Sequence, residues 1–381
     1  MGGTLPSNAG PPPNVLHFQD HSGHVILVGC RPAGMRANLP GTGTGSLVAD
    51  FAVLGARSRD FEEIHALRTE MPALNDWVGI QSVNSKAHRD NEGLIERVEV
   101  ELDSPSEISL ARRNNLTLVP SFTTSSGTLS TPLTASNVIY LRTSMRRPVS
   151  WFDHLRVHRS IRDLLVIAGW EPVGFSNLET LRRDDPETTM SGSTSHEAWR
   201  RVRTYQVPLD EGGKRKNRFL FRFIDIGPRG VHRWLRLREH FSRGLDPLLL
   251  IADQKMSWES RMVQSGMALE AIGYQIAVDQ GGIDLNSRKQ LNYKPALRLI
   301  LNDMPFVPLD DEGQWIEDSS EAYSGVKHAD NELPEPVFLA NTLRTNLLVL
   351  RYWIAGRLGC PQTVLTNRLA IDPHSQPYVP V

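Results

Sequence analysis

The sequence has few cysteines, no long apolar run and no excess of either charge. Only Cys30 and Cys360 are present in 381 residues, so a disulfide framework is not expected and a reducing compartment is the simpler interpretation. No run approaches the roughly 18 apolar residues that a membrane span requires. With 42 basic and 43 acidic residues the net charge is −1, which gives no global attraction to nucleic acid or membranes. These absences predict a cytoplasmic protein without a membrane partner.

The first 16 residues also lack the apolar core of a signal peptide. They are rich in glycine and proline, with three consecutive prolines, and are predicted to form a disordered tail. Residues 40–45 repeat Gly and Thr but lack the Gly-Lys-Ser/Thr ending of a phosphate-binding loop, so they are predicted to form a turn or loop.

Alternating apolar residues predict a β-rich first part. Residues 24–28 form a compact apolar run that is typical of a buried strand, and residues 95–102 alternate valine with glutamate. Residues 116–118 and 138–141 continue this pattern. The period then changes to that of a helix over residues 150–169, which starts at a Ser-x-x-Asp capping pattern and ends at a glycine.

The segment that follows predicts a loop and then a hairpin. Residues 176–200 are polar and are predicted to form a surface loop. Residues 204–209 and 218–226 are predicted as paired strands, joined by a turn over residues 211–217. Phe219, Phe221 and Phe223 alternate with residues that are largely apolar, which favours a buried central position for the second strand.

The last third has helical periodicity. Helices are predicted over residues 231–241 and 256–278, and a long helix opens at Pro334 and Pro336 and ends at Gly359. Its apolar stripe consists of Leu339, Leu343, Leu347, Leu350, Ile354 and Leu358. The predicted class is α+β, a β-rich domain followed by an all-α bundle of four to six helices. The predicted divisions are a tail (1–16), a β-rich domain (17–235), a helical domain (236–365) and a C-terminal tail (366–381).

Taken in order, several tracts resemble the ApeA-type HEPN proteins, which are bacterial phage-defence proteins. The matching tracts are residues 71–77, 98–102, 150–169, 219–226 and 258–273. The resemblance implies an ApeA-like N-terminal domain, a C-terminal HEPN domain and an antiviral role in abortive infection. It further implies a homodimer formed through the helical domain, and a ribonuclease activity with RNA as both partner and substrate. A phage-derived trigger would activate the protein, and no cofactor is expected.

The catalytic motif of that family is Arg-x4–6-His, and this chain matches it only in part. His328 is the candidate histidine, whereas Tyr323 stands at the arginine position and Glu321 and Ala322 at the longer spacings. Metal-independent RNA cleavage needs proton transfer at two oxygens and a cation beside the phosphate. His328 can transfer protons near neutral pH, and Lys327 can supply a point charge. We therefore take His328, Tyr323 and Lys327 as candidate catalytic residues.

Each of these residues also has a structural interpretation. His328 is equally suited to a solvated or capping position beside a helix–helix turn, and Tyr323 to packing with a polar tip. Asp330 and Asn331 are predicted to cap the following helix. Glu270 is predicted to pair helices and not to act as an acid.

Two further clusters have defined spacing. The sharpest basic cluster is a candidate RNA contact, or else a solvated hairpin tip, and consists of Lys214, Arg215, Lys216 and Arg218. A second group has metal-compatible spacing only if it is helical, and is predicted to be an ordinary polar segment: His17, Asp20, His21 and His24.

Two functions follow from these observations, and the sequence leaves both open. The first is a metal-independent RNA endonuclease with a degenerate motif. The second is a non-catalytic HEPN scaffold that binds RNA, a nucleotide or a partner protein. The first depends on His328, and the second is motivated by the missing arginine.

Overall fold

The computed structural model describes residues 12–21, 23–38, 42–57, 60–125, 132–188, 193–212 and 218–379. The chain divides into two compact units. The sheet unit comprises Met1–Asn75, Ile80–Arg159 and Gly174–Gly213. The helical unit comprises Asp76–Gly79, Ser160–Val173 and Lys214–Val381. The predicted class is confirmed, because a β-rich region is followed by a helical one.

The sheet unit is built from antiparallel strands. Their bounds are β1 (Val15–Asp20), β2 (Gly23–Val28), β3 (Arg31–Asn38), β4 (Thr42–Val48), β5 (Phe51–Leu54), β6 (Glu63–Glu70), β7 (Val83–Arg89), β8 (Ile95–Leu102), β9 (Ile108–Ala111), β10 (Leu116–Ser125), β11 (Thr134–Ser150), β12 (Asn177–Leu181), β13 (Glu187–Thr188), β14 (Thr194–Ser195) and β15 (Arg200–Thr204). Nine of them form one sheet in the order β1-β2-β5-β15-β12-β6-β11-β10-β9. The pairs β3–β4, β7–β8 and β13–β14 form separate two-stranded ribbons.

The strand predictions are confirmed in part. β2 is a strand with Ile26 and Val28 buried, as its apolar run predicts. β8 is also a strand, but it pairs with β7 in a ribbon whose residues Val98 and Val100 are about half exposed, at 52% and 49%. The loop prediction for residues 40–45 is wrong from residue 42 onward, because Gly and Thr there pair in β4 with β3.

The helices are α1 (Pro72–Val78), α2 (Trp151–Gly169), α3 (Phe223–His240), α4 (Ser242–Asp253), α5 (Trp258–Asp279), α6 (Tyr293–Asn302), α7 (Glu312–Lys327), α8 (Pro336–Leu358) and α9 (Gln362–Leu369). α2 follows its sequence pattern, and the backbone N–H of Phe152 donates to the Ser150 hydroxyl at 3.3 Å. In the described ranges, none of these helices is both long and apolar enough to cross a membrane.

The predicted loop and hairpin between residues 176 and 226 are wrong. Residues 177–181 form β12 in the middle of the sheet, and residues 223–226 begin α3 instead of continuing a strand. The helix starts there because the Asp225 carboxylate accepts the backbone N–H of Arg222 at 2.7 Å, a local cap that the aromatic alternation obscured. The burial prediction holds, since Phe219 and Phe221 are 6% and 0% exposed.

The helical unit is organised around α5 and α8. α5 packs against α4, α6, α7 and α8, and its Gly266 and Gly273 allow the neighbouring helices to approach closely. All six residues of the predicted α8 stripe are buried, and Gly359 ends α8 in the left-handed conformation with φ 84°. Between residues 223 and 369 the described chain forms seven helices, compared with the four to six predicted.

Candidate functional site

The end of α7 carries the three candidate catalytic residues, but they face different surroundings. α7 begins at the Asp311 cap and ends at Lys327. His328 is the first residue beyond the helix, in an extended conformation, and its backbone N–H donates to the Ser324 carbonyl at 3.2 Å. The side chain of His328 is exposed and makes no hydrogen bond or ion pair within the described part of the chain. This position agrees with the capping interpretation of His328.

Tyr323 lies inside the bundle. It is 4% exposed, and its ring packs directly against Gly266, where an added methyl group would clash with the ring carbons. Its hydroxyl donates to the Glu270 carboxylate at 3.3 Å, and its ring centroid is 4.8 Å from that of Tyr293. Burial is the main cause that raises the pKa of Tyr323, so the phenol remains neutral. The residue at the arginine position therefore packs and carries no charge.

Lys327 completes a small cluster with Tyr323 and Glu270. Its ammonium nitrogen is 4.7 Å from the centroid of the Tyr323 ring and 3.8 Å from the Glu270 carboxylate. The interaction with the Tyr323 hydroxyl is the main cause that raises the pKa of Lys327, so the side chain is a stable cation. Its charge is shared with Glu270, which agrees with the helix-pairing role predicted for that residue.

The segment after His328 does not cap α8 as predicted. The Asn331 side chain instead donates back to the Ser324 carbonyl and hydroxyl, at 3.0 and 3.1 Å. Glu335 caps α8, because its carboxylate accepts the backbone N–H groups of Val337 and Phe338 at 2.9 and 3.0 Å. Asp330 and Asn331 lie several residues before the first residue of α8, whereas Glu335 directly precedes it and therefore provides the cap.

The predicted RNA-contact cluster lies mostly beyond the described residues. Lys214, Arg215 and Lys216 fall outside the described ranges, and the predicted turn over residues 211–217 lies largely outside them as well. Arg218 is described and exposed, and its side chain has no ion pair within those ranges.

The histidine-rich segment near the N-terminus belongs to the sheet. His17 lies on β1 and pairs with Asp60 at 3.0 Å, while His24 lies on β2. Among the residues that the structure describes, no group of three His, Cys, Asp or Glu side chains could hold a metal ion. The predicted tail over residues 1–16 lies outside the described ranges up to residue 11, and its last two residues begin β1.

A cleft of about 440 Å³ in the helical unit was not predicted from the sequence. It opens beside the end of α3, the start of α4 and the middle of α5, and Glu270 is part of its wall. His240, at its rim, contacts the Asp279 carboxylate at 2.9 Å. The two residues are 39 positions apart on different helices, so no spacing pattern could have joined them.

Comparison with known proteins places the chain in a family. Residues 3–234 match the family model described as ApeA N-terminal domain 1, which is more than half of the 381 residues. The match covers the large sheet and α2 and ends within α3, so it does not extend over α4 to α9. No curated protein and no solved structure matches the chain. The chain belongs to the ApeA N-terminal domain 1 family.

Proposed function

We propose that this chain is an ApeA-like phage-defence protein whose helical unit is a HEPN-type domain. The observation that carries the proposal is the family match over residues 3–234. The helical region that follows it agrees with the domain order expected from the resemblance. In this proposal the protein is a cytoplasmic homodimer formed through the helical unit, and a phage-derived trigger activates it.

For the helical unit we propose recognition of RNA without cleavage. RNA cleavage without a metal needs a free cation beside the phosphate oxygens. Tyr323, at the arginine position, is neutral and 4% exposed. Lys327 is the nearest cation in sequence, and its charge lies 3.8 Å from the Glu270 carboxylate. The burial of Tyr323 against Glu270 is the observation that favours recognition over catalysis.

The proposed RNA contacts are exposed basic residues. Lys327 and His328 lie at the end of α7, and Arg218 is exposed with no ion pair in the described part of the chain. The neighbouring lysines and arginine at residues 214–216 extend the basic segment in sequence. Because contacts of this kind release counterions, binding would weaken as salt concentration rises.

A metal-independent ribonuclease is the second candidate function. The observation that favours it is the exposed His328 ring, which has no hydrogen bond within the described ranges and is therefore available for proton transfer. In a homodimer, the missing cation would have to come from the second copy. This candidate requires His328, whereas the recognition proposal requires only that the basic surface be intact.

Expression of the chain in a bacterial host is expected to reduce plaque formation by at least some phages. The double variant Lys327→Ala/His328→Ala should lose protection, because both proposed contacts at the end of α7 are removed. His232→Ala, which changes an exposed histidine on α3, is the matched control and should protect like the parent. A host that is equally sensitive with and without the parent protein, across a phage panel and at confirmed protein levels, would contradict the defence role.

A further inference from the structure

The acidic side chains in and beside the wall of the cleft are paired, whereas two of its basic side chains are not. Asp279 faces His240, and Gln275 also donates to it at 2.9 Å. Burial would raise the pKa of Asp279, but these hydrogen bonds outweigh burial and lower it, so the carboxylate is ionised. Glu270 is occupied by Tyr323 and Lys327, as described above. Neither acid is therefore available to neutralise a cation in the cleft.

Arg243 and Lys289 line this cleft without partners of their own. Both are exposed, and neither side chain makes an ion pair or hydrogen bond within the described part of the chain. Arg238 on α3, in contrast, is neutralised by acidic side chains, because it pairs with Asp163 at 2.9 Å and with Asp246 at 2.6 Å. Two uncompensated cations at one concave surface make a site that favours an anion.

The turn that presents Lys289 is held by its own hydrogen bonds. The Asn286 side chain accepts the backbone N–H groups of Arg288 and Gln290, each at 2.9 Å. The Lys289 N–H donates to the Asn286 carbonyl at 2.9 Å, and Lys289 adopts a positive φ of 57°. The backbone at Lys289 is therefore held at the wall of the cleft by contacts that do not involve the charge of the lysine.

The rest of the wall is apolar or aromatic. Tyr274, Met267 and Ala271 lie along α5, and Leu291 lies opposite them before α6. Met267 is 44% exposed, so its thioether is accessible to a ligand in the cleft. Aromatic and thioether side chains suit a planar ring. The cleft thus has an apolar and aromatic wall that can contact a planar ring, and two basic side chains, Arg243 and Lys289, that can contact an anion.

We propose that this cleft binds a small ligand in which a phosphate group is attached to a planar ring. Arg243 and Lys289 contact the phosphate, and Tyr274 and Met267 contact the ring. The volume of about 440 Å³ suits a ligand of this size. None of Tyr323, Lys327 and His328 lines the cleft, and Tyr323 and Lys327 enter the proposal only through their contacts with Glu270. The proposal therefore holds whether the helical unit recognises or cuts RNA.

Calorimetric titration of the full-length protein with phenyl phosphate tests the proposal. Phenyl phosphate is expected to bind more tightly than inorganic phosphate, which lacks the ring, and phenol, which lacks the anion, is expected not to bind. Arg243→Gln and Lys289→Gln should each weaken binding about tenfold or more, since each removes a charge-assisted contact. The matched controls Arg236→Gln and Arg288→Gln remove an exposed charge outside the cleft and should leave affinity unchanged.

Adenosine monophosphate, as a second titrant, distinguishes the two sources of such a ligand. Tighter binding than that of phenyl phosphate would identify a nucleotide, and weaker binding would identify a simple aryl phosphate; either result supports the site. The proposal is overturned if neither compound binds at millimolar concentration. It is also overturned if Arg243→Gln/Lys289→Gln, shown to be folded by circular dichroism, binds as the parent does.

Discussion

Replacement of Asp372 by asparagine is expected to lower the free energy of unfolding of the helical unit by about 3–5 kcal/mol. Asp372 is buried beside Arg351, whose guanidinium is 1% exposed and contacts both carboxylate oxygens, at 2.8 and 3.1 Å. The same guanidinium donates to the carbonyl groups of Ile167 and Ala168 at 3.1 and 3.3 Å. Loss of the carboxylate charge would leave a buried cation without a counterion, which is the costly change.

The pKa of Asp372 shows that the ionised form is the stable one. Burial would raise this pKa, but the hydrogen bond from His374 and the charge of Arg351 outweigh burial and lower it to about 2. The carboxylate is therefore ionised throughout the neutral range. Its stabilising effect is lost only as the pH falls below its ordinary value of 3.8 toward 2.

Urea unfolding of Asp372→Asn and the parent measures this effect. Glu317→Gln is the matched control, because it makes the same carboxylate-to-amide change in an exposed pair with Lys294. The control should cost less than about 1 kcal/mol, the usual limit for a surface pair. Equal midpoints for Asp372→Asn and Glu317→Gln would show that the buried pair does not hold residues 370–379 on the helical unit.

Lowering the pH from 7 to 5 is expected to destabilise the sheet unit on the order of 3 kcal/mol. His154 and His158 lie one turn apart on α2 and are both fully buried. Burial is the main cause that lowers their pKa values, to about 4 and about 3, from 6.5. Below pH 6.5 both histidines therefore become protonated in the unfolded chain but stay neutral in the folded chain. Their full contribution to the free energy of unfolding is present above pH 6.5 and decreases as the pH falls.

The hydrogen bonds of these histidines are compatible with the neutral rings that burial favours. Because a carbonyl only accepts, the Ile64 carbonyl fixes the proton of His154 on Nε2, at 3.3 Å. Thr143 then donates to His154 Nδ1 at 2.7 Å and accepts from His158 Nε2 at 2.9 Å. Thr69 donates to His158 Nδ1 at 2.7 Å. Every donor in this chain has an acceptor while both rings are neutral, so none of these hydrogen bonds requires a second proton on either ring.

Urea midpoints at pH 7, 6 and 5 test this prediction, with His158→Gln as the diagnostic variant. The variant is expected to lose about half of the pH dependence, at about 1.4 kcal/mol per pH unit for one histidine. His374 in the helical unit also has a pKa lowered by burial, so some dependence should remain. His21→Gln, an exposed histidine between β1 and β2, should keep the full dependence. A pH profile of His158→Gln identical to that of the parent would contradict the assignment.

The spacing of apolar residues was sufficient to predict a helix or strand where one face of that element packs against a hydrophobic core. The α8 stripe and the α5 pattern were predicted because a single apolar face recurs at the period of a helix, and β2 was predicted from its continuous apolar run. The start of α3 was not predicted, because Phe219 and Phe221 are buried in irregular chain directly before a helix, and their alternation in sequence resembles that of a strand. Local capping by Asp225 decided the outcome.

Much less of the candidate site could be predicted. His328 was predicted to lie beside a turn before the last long helix, because the proline pair marks the start of that helix, and it lies between α7 and α8. The contact of Tyr323 with Glu270 joins residues 53 positions apart and depends on the small size of Gly266. His240 and Asp279 likewise meet only through helix packing. Such contacts are set by how helices pack, which single-sequence patterns do not encode.

Incubation of the purified parent protein with a fluorescent RNA pool in the presence of EDTA tests the central claim, with binding and cleavage measured in the same samples. We predict salt-sensitive binding that Lys327→Ala/His328→Ala weakens and His232→Ala does not, with the RNA remaining intact throughout. Cleavage by the parent that is lost in His328→Ala would contradict this account and would establish a ribonuclease that works without the family arginine.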